Sequence, residues 1–439
     1  MIATRQAKAS YLFLLKWLTL AVVAGLAGSL TVRLFTSLLE GLSRLFLAAP
    51  LPLPLWSFGG ALLVGGLIYR REPAAAGEGI PSYLRGVNLN KGYLSFSVTF
   101  HKFWAALITL ATFGNGGVVG PVGRISAGIM SKVGRSLHFF GLDEEHHRMA
   151  AICGMAAAVA AIFGTPLGGG IFAVEITQRS RLGYKDFFPA VLAGIVAVLF
   201  NRFLGWSPYY LIQASDNPWN LRLLVWILLL SLLAGFVSMG YTRFYALVAR
   251  AFRRNTGRVL LKVTSGTLVA AWAGWVINPA LMGTSRDLFQ AVFSSNPVGL
   301  AGIFGSAVPL GIVLIIMLVL KGVLNCLTVG SGMSAGFTGP AALMGILLGA
   351  GFAHLVGVPD LSTNYYALIA AGFAGMLAGS MDVPLAAAVM SIEIFGLSYS
   401  IPAGLAAIIA FQINRHQTVY DFAFEDIRRT REAEGVELS

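Results

Sequence analysis

Residues 150–177 read AAICGMAAAVAAIFGTPLGGGIFAVEIT, and residues 368–395 read LIAAGFAGMLAGSMDVPLAAAVMSIEIF. At a constant separation of 218 residues, both stretches place small residues, a Pro-Leu pair and a glutamate at the same positions. The matched pairs are Gly154 with Gly372, Ala156 with Ala374, Ala160 with Ala378, Pro166 with Pro384 and Glu175 with Glu393. Chance is the competing explanation, because both stretches are rich in alanine.

A second pair of matching segments favours duplication over chance. Gly120-Pro121 and Gly339-Pro340 lie 219 residues apart, one residue from the first separation. We therefore predict a single transmembrane domain made of two related halves, residues 1–218 and 219–420. We expect the charged segment 421–439 to be a short cytoplasmic tail without a regulatory domain.

The composition places these halves in a membrane. Of the 439 residues, 56% are hydrophobic and only 11% are charged, whereas water-soluble chains carry about 25% charged residues. Uncharged stretches such as Leu288 to Leu320 exceed the roughly 20 residues that a helix needs to cross the hydrocarbon layer. Glycines and prolines inside such stretches predict broken helices, which are tolerated where they line a cavity or pack on protein. The pattern is typical of a channel or transporter and excludes disordered, coiled-coil and disulfide-framework proteins.

The charge distribution argues against a nucleic-acid partner. The net charge is +12, but the basic residues form short clusters between hydrophobic runs, including Arg70-Arg71, Arg179 to Lys185 and Arg415 to Arg431. By the positive-inside rule these clusters are cytoplasmic. We expect a multi-pass protein of a bacterial inner (plasma) membrane with both termini in the cytoplasm. Because no HExxH spacing occurs, we expect no enzyme activity, cofactor or metal.

Three glycine-rich loops precede apolar runs. Each places glycines just before a proline, and this predicts a helix start, because proline suits the first turn and has no amide proton to lose. The loops are Gly77-Glu78-Gly79-Ile80-Pro81, Gly117-Val118-Val119-Gly120-Pro121 and Gly336-Phe337-Thr338-Gly339-Pro340.

Helix starts of this kind can bind an anion. A helix N-terminus carries unpaired N–H groups and a partial positive charge, and several that converge would hold a dehydrated anion without a lysine or arginine contact. A full cation would bind the anion too tightly for rapid passage. The alternative is that these glycines serve the close packing of crossing helices.

In order and spacing the loops resemble the motifs of the CLC family of chloride channels and proton-coupled chloride transporters. GEGIP is similar to the family's GSGIP, GVVGP to its GREGP and GFTGP to its GIFAP. PLGGGIFAVEI and Thr418-Val419-Tyr420 resemble the segments of its internal glutamate and late pore tyrosine. The resemblance covers nearly the whole chain. It implies an all-α membrane protein of two inverted repeats with many tilted and broken helices, a homodimer with one pore per subunit, and chloride as the anion.

Departures from the family bear on the mechanism. Its gating glutamate corresponds to Val119, the neighbouring arginine to Val118, and its internal proton-accepting glutamate to Ile176. Because these side chains carry no proton, obligatory proton exchange has no evident carrier. The sequence favours a passive anion channel. The alternatives are an anion/proton antiporter that uses Glu78, a transporter for fluoride, nitrate or bicarbonate, and a membrane scaffold that has lost transport.

Glu78 stands where the family usually has the serine that contacts the central anion. A carboxylate about 4 Å from a bound anion would raise its free energy by about 4 kcal/mol at an effective dielectric of 20. Glu78 must therefore be protonated, turn aside or pair with a cation, for which Lys102 is the candidate. Lys102 can also be an interfacial lysine that reaches the membrane surface. We expect Glu78 to act as a substitute gate or a selectivity element.

The resemblance assigns roles to three further positions. Tyr420 would offer its hydroxyl to the anion at the inner side of the pore, although an ordinary interfacial tyrosine would stand at the same place. Phe337 and Thr338 would direct their backbone amides at the anion, whatever their side chains. Glu175, which has a mate in Glu393, is expected to be structural, by capping or pairing.

Overall fold

A computed structural model describes residues 2–136, 144–177, 184–208, 220–253, 259–293 and 308–434. Within these ranges the chain forms seventeen α-helices and no β-strand, which confirms the all-α prediction. The predicted boundary after residue 218, the end of the tail and most of the basic cluster from Arg179 to Lys185 lie outside the described residues.

The first half contributes eight helices, the second half eight more, and one helix follows. In chain order they are α1 (Ile2–Ala48), α2 (Leu53–Leu63), α3 (Ile80–Asn88), α4 (Phe96–Ala111), α5 (Val119–Ser136), α6 (Glu144–Phe163), α7 (Pro166–Glu175), α8 (Tyr184–Phe203), α9 (Leu221–Arg253), α10 (Val259–Ile277), α11 (Arg286–Val292), α12 (Leu310–Gly330), α13 (Thr338–Leu355), α14 (Thr363–Met381), α15 (Pro384–Phe395), α16 (Ser400–Asn414) and α17 (Asp421–Ala433). A π-helical turn, Val64–Ile68, continues α2 to Arg71.

Most of these helices suit a membrane. Among the described residues, nine helical segments are long and apolar enough to cross it. The three helices that follow the glycine loops begin where the loops predict, at Ile80, Val119 and Thr338.

The same packing occurs in both halves. α5 packs on α6 as α13 packs on α14, and α1 packs on α8 as α9 packs on α16. α14 is buried on all sides by its small and apolar side chains. A helix that is apolar all round belongs in the interior, so α6 and α14 form the centre of the protein and the other helices surround them.

Two glutamates connect the halves. Glu175, at the end of α7, accepts hydrogen bonds from the backbone N–H groups of Leu385, at 3.0 Å, and Ala386, at 2.7 Å, in the first turn of α15. Glu393, near the end of α15, accepts two bonds from the first turn of α7, at 2.9 and 2.8 Å. Each carboxylate satisfies amides that have no partner within their own helix. Glu175 thus has the capping role expected of it. Because the end of each helix meets the start of the other, α7 and α15 run antiparallel, as in an inverted repeat.

We expect Glu175→Ala and Glu393→Ala to lower the thermal stability of the purified protein. Each change leaves two helix-start amides without an acceptor, at about 1–3 kcal/mol for each buried group. The loss should be larger at Glu175, which is only 4% exposed, and smaller for glutamine, which keeps one acceptor oxygen. The midpoint of thermal unfolding in detergent measures the effect. Glu432→Ala, on the exposed face of α17, is the control, and equal midpoints for all variants would contradict the capping role.

Candidate anion site

The three glycine loops meet inside the protein. Gly117 and Gly336 exchange two backbone hydrogen bonds, both 2.8 Å long, so the second and third loops lie side by side and antiparallel. The first loop reaches the second at Gly79, where an added Cβ would lie 2.3 Å from the carbonyl oxygen of Gly120. Glycine is needed at this contact because no side chain fits there.

The Glu78 carboxylate lies where the loops converge. Its Oε2 accepts a hydrogen bond of 2.5 Å from the N–H of Ile80, at the start of α3, and the backbone amide of Phe337 faces the same group. The Tyr420 hydroxyl donates to Oε1 at 3.5 Å. An added Cβ on Gly120 would lie only 1.9 Å from Oε1. Glu78 therefore does not turn aside: its carboxylate stands among the helix-start amides that were predicted to hold an anion.

The remaining predicted residues lie at or next to helix ends. Buried in the first turns of α3, α5 and α13 or just before them are Ile80, Val118, Val119, Gly120, Phe337, Thr338, Gly339 and Pro340; Pro81 and Pro121 also lie in first turns. Ile176 directly follows α7 and is 2% exposed. Neither Val119 nor Ile176 carries a group that can take up a proton.

Aromatic side chains enclose the third loop. The ring of Phe337 lies 4.5 Å from that of Tyr245, 6.1 Å from that of Tyr241 and 6.4 Å from that of Tyr420, measured between centroids. Tyr241 and Tyr245 were not predicted, because a tyrosine in an apolar helix gives no sign of which neighbour it will meet. The backbone of Phe337 faces Glu78 while its side chain packs on the tyrosines.

Lys102 is buried and binds the first loop. It is 1% exposed, and its ammonium group donates to the carbonyl oxygens of Ala75, at 3.1 Å, and Gly77. Gly77 directly precedes Glu78 and Ala75 lies three residues before it, so the positive charge of Lys102 lies close to the carboxylate. This burial does not fit an interfacial lysine.

Arg124 is a second buried cation beside the first loop, and sequence reasoning missed it. Its Nε donates to the hydroxyl of Ser82 at 2.8 Å, and that hydroxyl donates to the carbonyl of Gly79 at 3.0 Å. Its Nη1 donates to Thr99 at 3.0 Å. Lys102 and Arg124 thus hold the carbonyls of the first loop, which leaves the amide face for a negative group. The available signal was an arginine three residues after Pro121, at the start of a helix whose other charged residues, Lys132 and Arg135, lie near its end.

Lys321 repeats the Lys102 arrangement in the second half. It lies 219 residues after Lys102, the separation of the two Gly-Pro pairs. Its ammonium donates to the carbonyls of Leu281, at 3.1 Å, and Gly283, at 2.9 Å, and to Asn115, at 2.8 Å. Gly77 and Gly283 both have positive φ, 71° and 59°. The separation alone would have predicted this pair.

We expect Lys102→Met to weaken anion binding. The change frees the carbonyls of Ala75 and Gly77, and hydrogen bonds to charged groups contribute about 1.5–3 kcal/mol each. If about half of the free energy of one such hydrogen bond is lost from anion binding, the affinity for the anion falls by about tenfold or less. Isothermal titration with chloride measures it. Lys321→Met removes the equivalent contacts of the other half, so an equal loss of affinity in both variants would show that general destabilisation, and not the first loop, is responsible.

Helix N-termini from two antiparallel halves that converge on one buried point define a membrane protein of the anion channel and transporter class. The sequence profile described as Voltage gated chloride channel matches residues 59–415. The chain belongs to the CLC family of voltage-gated chloride channels, and the predicted family is confirmed.

Named relatives agree with this assignment. A chloride/fluoride channel protein of Pseudomonas syringae pv. tomato is 26% identical over 425 residues, which cover 93% of this chain and 86% of that protein. A slow cyanobacterial Cl⁻/H⁺ antiporter has a TM-score of 0.78 at 20% identity, covering 96% of this chain and 99% of its own. A CLC-type fluoride/proton antiporter has a TM-score of 0.76 at 20% identity, covering 93% and 96%. At this identity the two structures confirm the fold, and only the fold.

Proposed function

We propose that the protein is a transmembrane pathway for a small inorganic anion, with chloride as the first candidate, and that the Glu78 carboxylate competes with the anion for one site. The main observation that supports this proposal is the 2.5 Å hydrogen bond that the Ile80 amide donates to Glu78, where the three helix starts converge. A carboxylate and a halide require the same N–H donors, so they bind there in turn. Glu78 is a tethered anion in this scheme.

Protonation of Glu78 would release the site. A neutral carboxyl group no longer repels an anion, so flux should rise as the pH falls. The groups that face Glu78 are the Lys102 ammonium, the Tyr420 hydroxyl and, further away, Tyr241 and Tyr245, with Arg124 beside Lys102. Among these groups Glu78 is the carboxylic acid, so the pH response is assigned to it.

Two modes of transport remain candidates. Passive conduction is supported by the buried Val119 and Ile176, which provide no relay for protons. Exchange of the anion for a proton is supported by Glu78 itself, whose carboxyl group at the anion site can bind and release a proton. Two proteins of the same fold carry the description antiporter.

Flux from liposomes separates the two modes. We expect vesicles loaded with chloride to release it when a potassium ionophore balances the charge. In the passive mode the zero-current potential follows the chloride gradient alone. In the exchange mode a chloride gradient drives protons uphill. Absence of flux for chloride, fluoride, nitrate and bicarbonate would reject the proposed function.

We also propose a homodimer with one pore per subunit, in a bacterial inner membrane with both termini in the cytoplasm. The basic cluster around Arg70-Arg71 and the arginines of α17 support this orientation. Protease access to the C-terminus in inside-out and right-side-out vesicles tests it.

A further inference from the structure

An apolar groove lies outside the anion site, between α9, α12 and α13. Its volume is about 510 Å³, and apolar side chains form nearly all of its wall. At its rim Leu233, Val319 and Leu355 are 40%, 54% and 56% exposed. All three helices are candidate membrane spans, so hydrocarbon is the medium that faces the opening.

The length of the groove matches one lipid chain. Along α13 it extends from Met344 to Leu355, about 16 Å at 1.5 Å per residue. This is close to half of the hydrocarbon thickness of about 30 Å, the depth of one leaflet. Gly240 and Gly322 lie in the wall. An added Cβ on Gly240 would meet no atom within 4 Å, so there is free space at this position.

The wall of the groove is connected to the anion loops. Tyr241 lines the groove, and its hydroxyl donates to Asn325 at 2.5 Å. Asn325 donates in turn to the carbonyl oxygens of Gly336, at 3.4 Å, and Asn115, at 3.3 Å. Tyr241 also packs on the ring of Phe337. One buried amide side chain therefore separates the groove from the backbone of the third loop.

We propose that this groove binds an acyl chain of a bilayer lipid, and that the bound chain holds Tyr241 against Phe337 and so supports the third anion loop. Binding depends only on the shape, chemistry and membrane position of the groove. The effect on transport rests on the proposed function.

A lipid with a photoactivatable group on its acyl chain tests binding in reconstituted vesicles. We expect labelled peptides from the groove segments of α9, α12 and α13. Gly240→Leu places a side chain where an added Cβ meets no atom within 4 Å and should at least halve this labelling. Gly59→Leu is the control on α2, at a glycine where an added Cβ also meets no atom within 4 Å, and it should leave the labelling unchanged. Labelling spread evenly over all lipid-facing helices, or unchanged in Gly240→Leu, would overturn the proposal.

Two further measurements complete the test. Anion flux of the wild type should differ between vesicles of straight-chain and methyl-branched lipids, and Gly240→Leu should lose this difference. Equal flux in both lipids for the wild type would overturn the support of the loop but not the binding. A disulfide-linked dimer of Val319→Cys in membranes would show that a second copy covers the groove, and this also overturns the proposal. If no anion flux occurs in any vesicle, the proposed function fails while the labelling still decides on binding.

Discussion

Glu78→Gln is expected to raise anion flux at neutral pH and to remove its dependence on pH. Glutamine has nearly the shape of glutamate but no charge, so its amide oxygen competes more weakly than a carboxylate with the anion for the amide of Ile80 and the hydroxyl of Tyr420. Repulsion between two charges about 4 Å apart amounts to about 4 kcal/mol at an effective dielectric of 20, so anion occupancy can rise by about a thousandfold. Chloride efflux from liposomes between acidic and alkaline pH measures the change.

Glu78→Asp is the matched variant, because it keeps the charge on a shorter side chain. We expect it to retain the pH dependence, with flux that increases as protons neutralise the carboxylate. If Glu78→Gln and the wild type show the same selectivity and the same response to pH, Glu78 is neither a gate nor a selectivity element. Glu78→Gln also separates the two transport modes, because coupled proton movement through the Glu78 carboxyl group must vanish in that variant.

Gly372→Ala is expected to cause a large loss of stability, because among the described glycines its added Cβ makes the shortest contact with a backbone atom. An added Cβ on Gly372 would lie 2.2 Å from the carbonyl oxygen of Gly345, where α14 contacts α13. Overpacking a core costs about 1–3 kcal/mol when side chains can adjust, and more is expected here because the contact is with backbone. Since α13 carries the third loop at its start, the folded fraction and anion binding should decline together.

A graded series of glycines provides the controls. At Gly154, the repeat mate of Gly372, the added Cβ would lie 2.7 Å from the carbonyl of Ser126. At Gly404, on α16, it would meet no atom within 4 Å. We expect stability to fall from Gly404→Ala to Gly154→Ala to Gly372→Ala, measured by thermal unfolding and by size-exclusion profiles in detergent. A similar gain in stability at all three sites would show that helix propensity, and not close packing, governs them.

Local chemistry made part of the site predictable. The helix starts at Ile80, Val119 and Thr338 follow from glycine and proline in neighbouring positions, which act over one turn. The capping role of Glu175 could be expected from its repeat mate, but its partner could not, because Leu385 is 210 residues away. Arg124 was missed because the face that a lone side chain presents depends on the packing of its helix.

The residues alone determined the membrane location, the duplication and the three loops that form helix starts. These features could be predicted because composition, repetition and turn chemistry can be read directly from the sequence. Only the tertiary structure decided that Glu78 stands among these helix starts. Gly120, Phe337 and Tyr420 come from distant segments, and they reach Glu78 through the packing of α3, α5 and α13. That packing is set by contacts between glycines of both halves, at distances that no single stretch of sequence records.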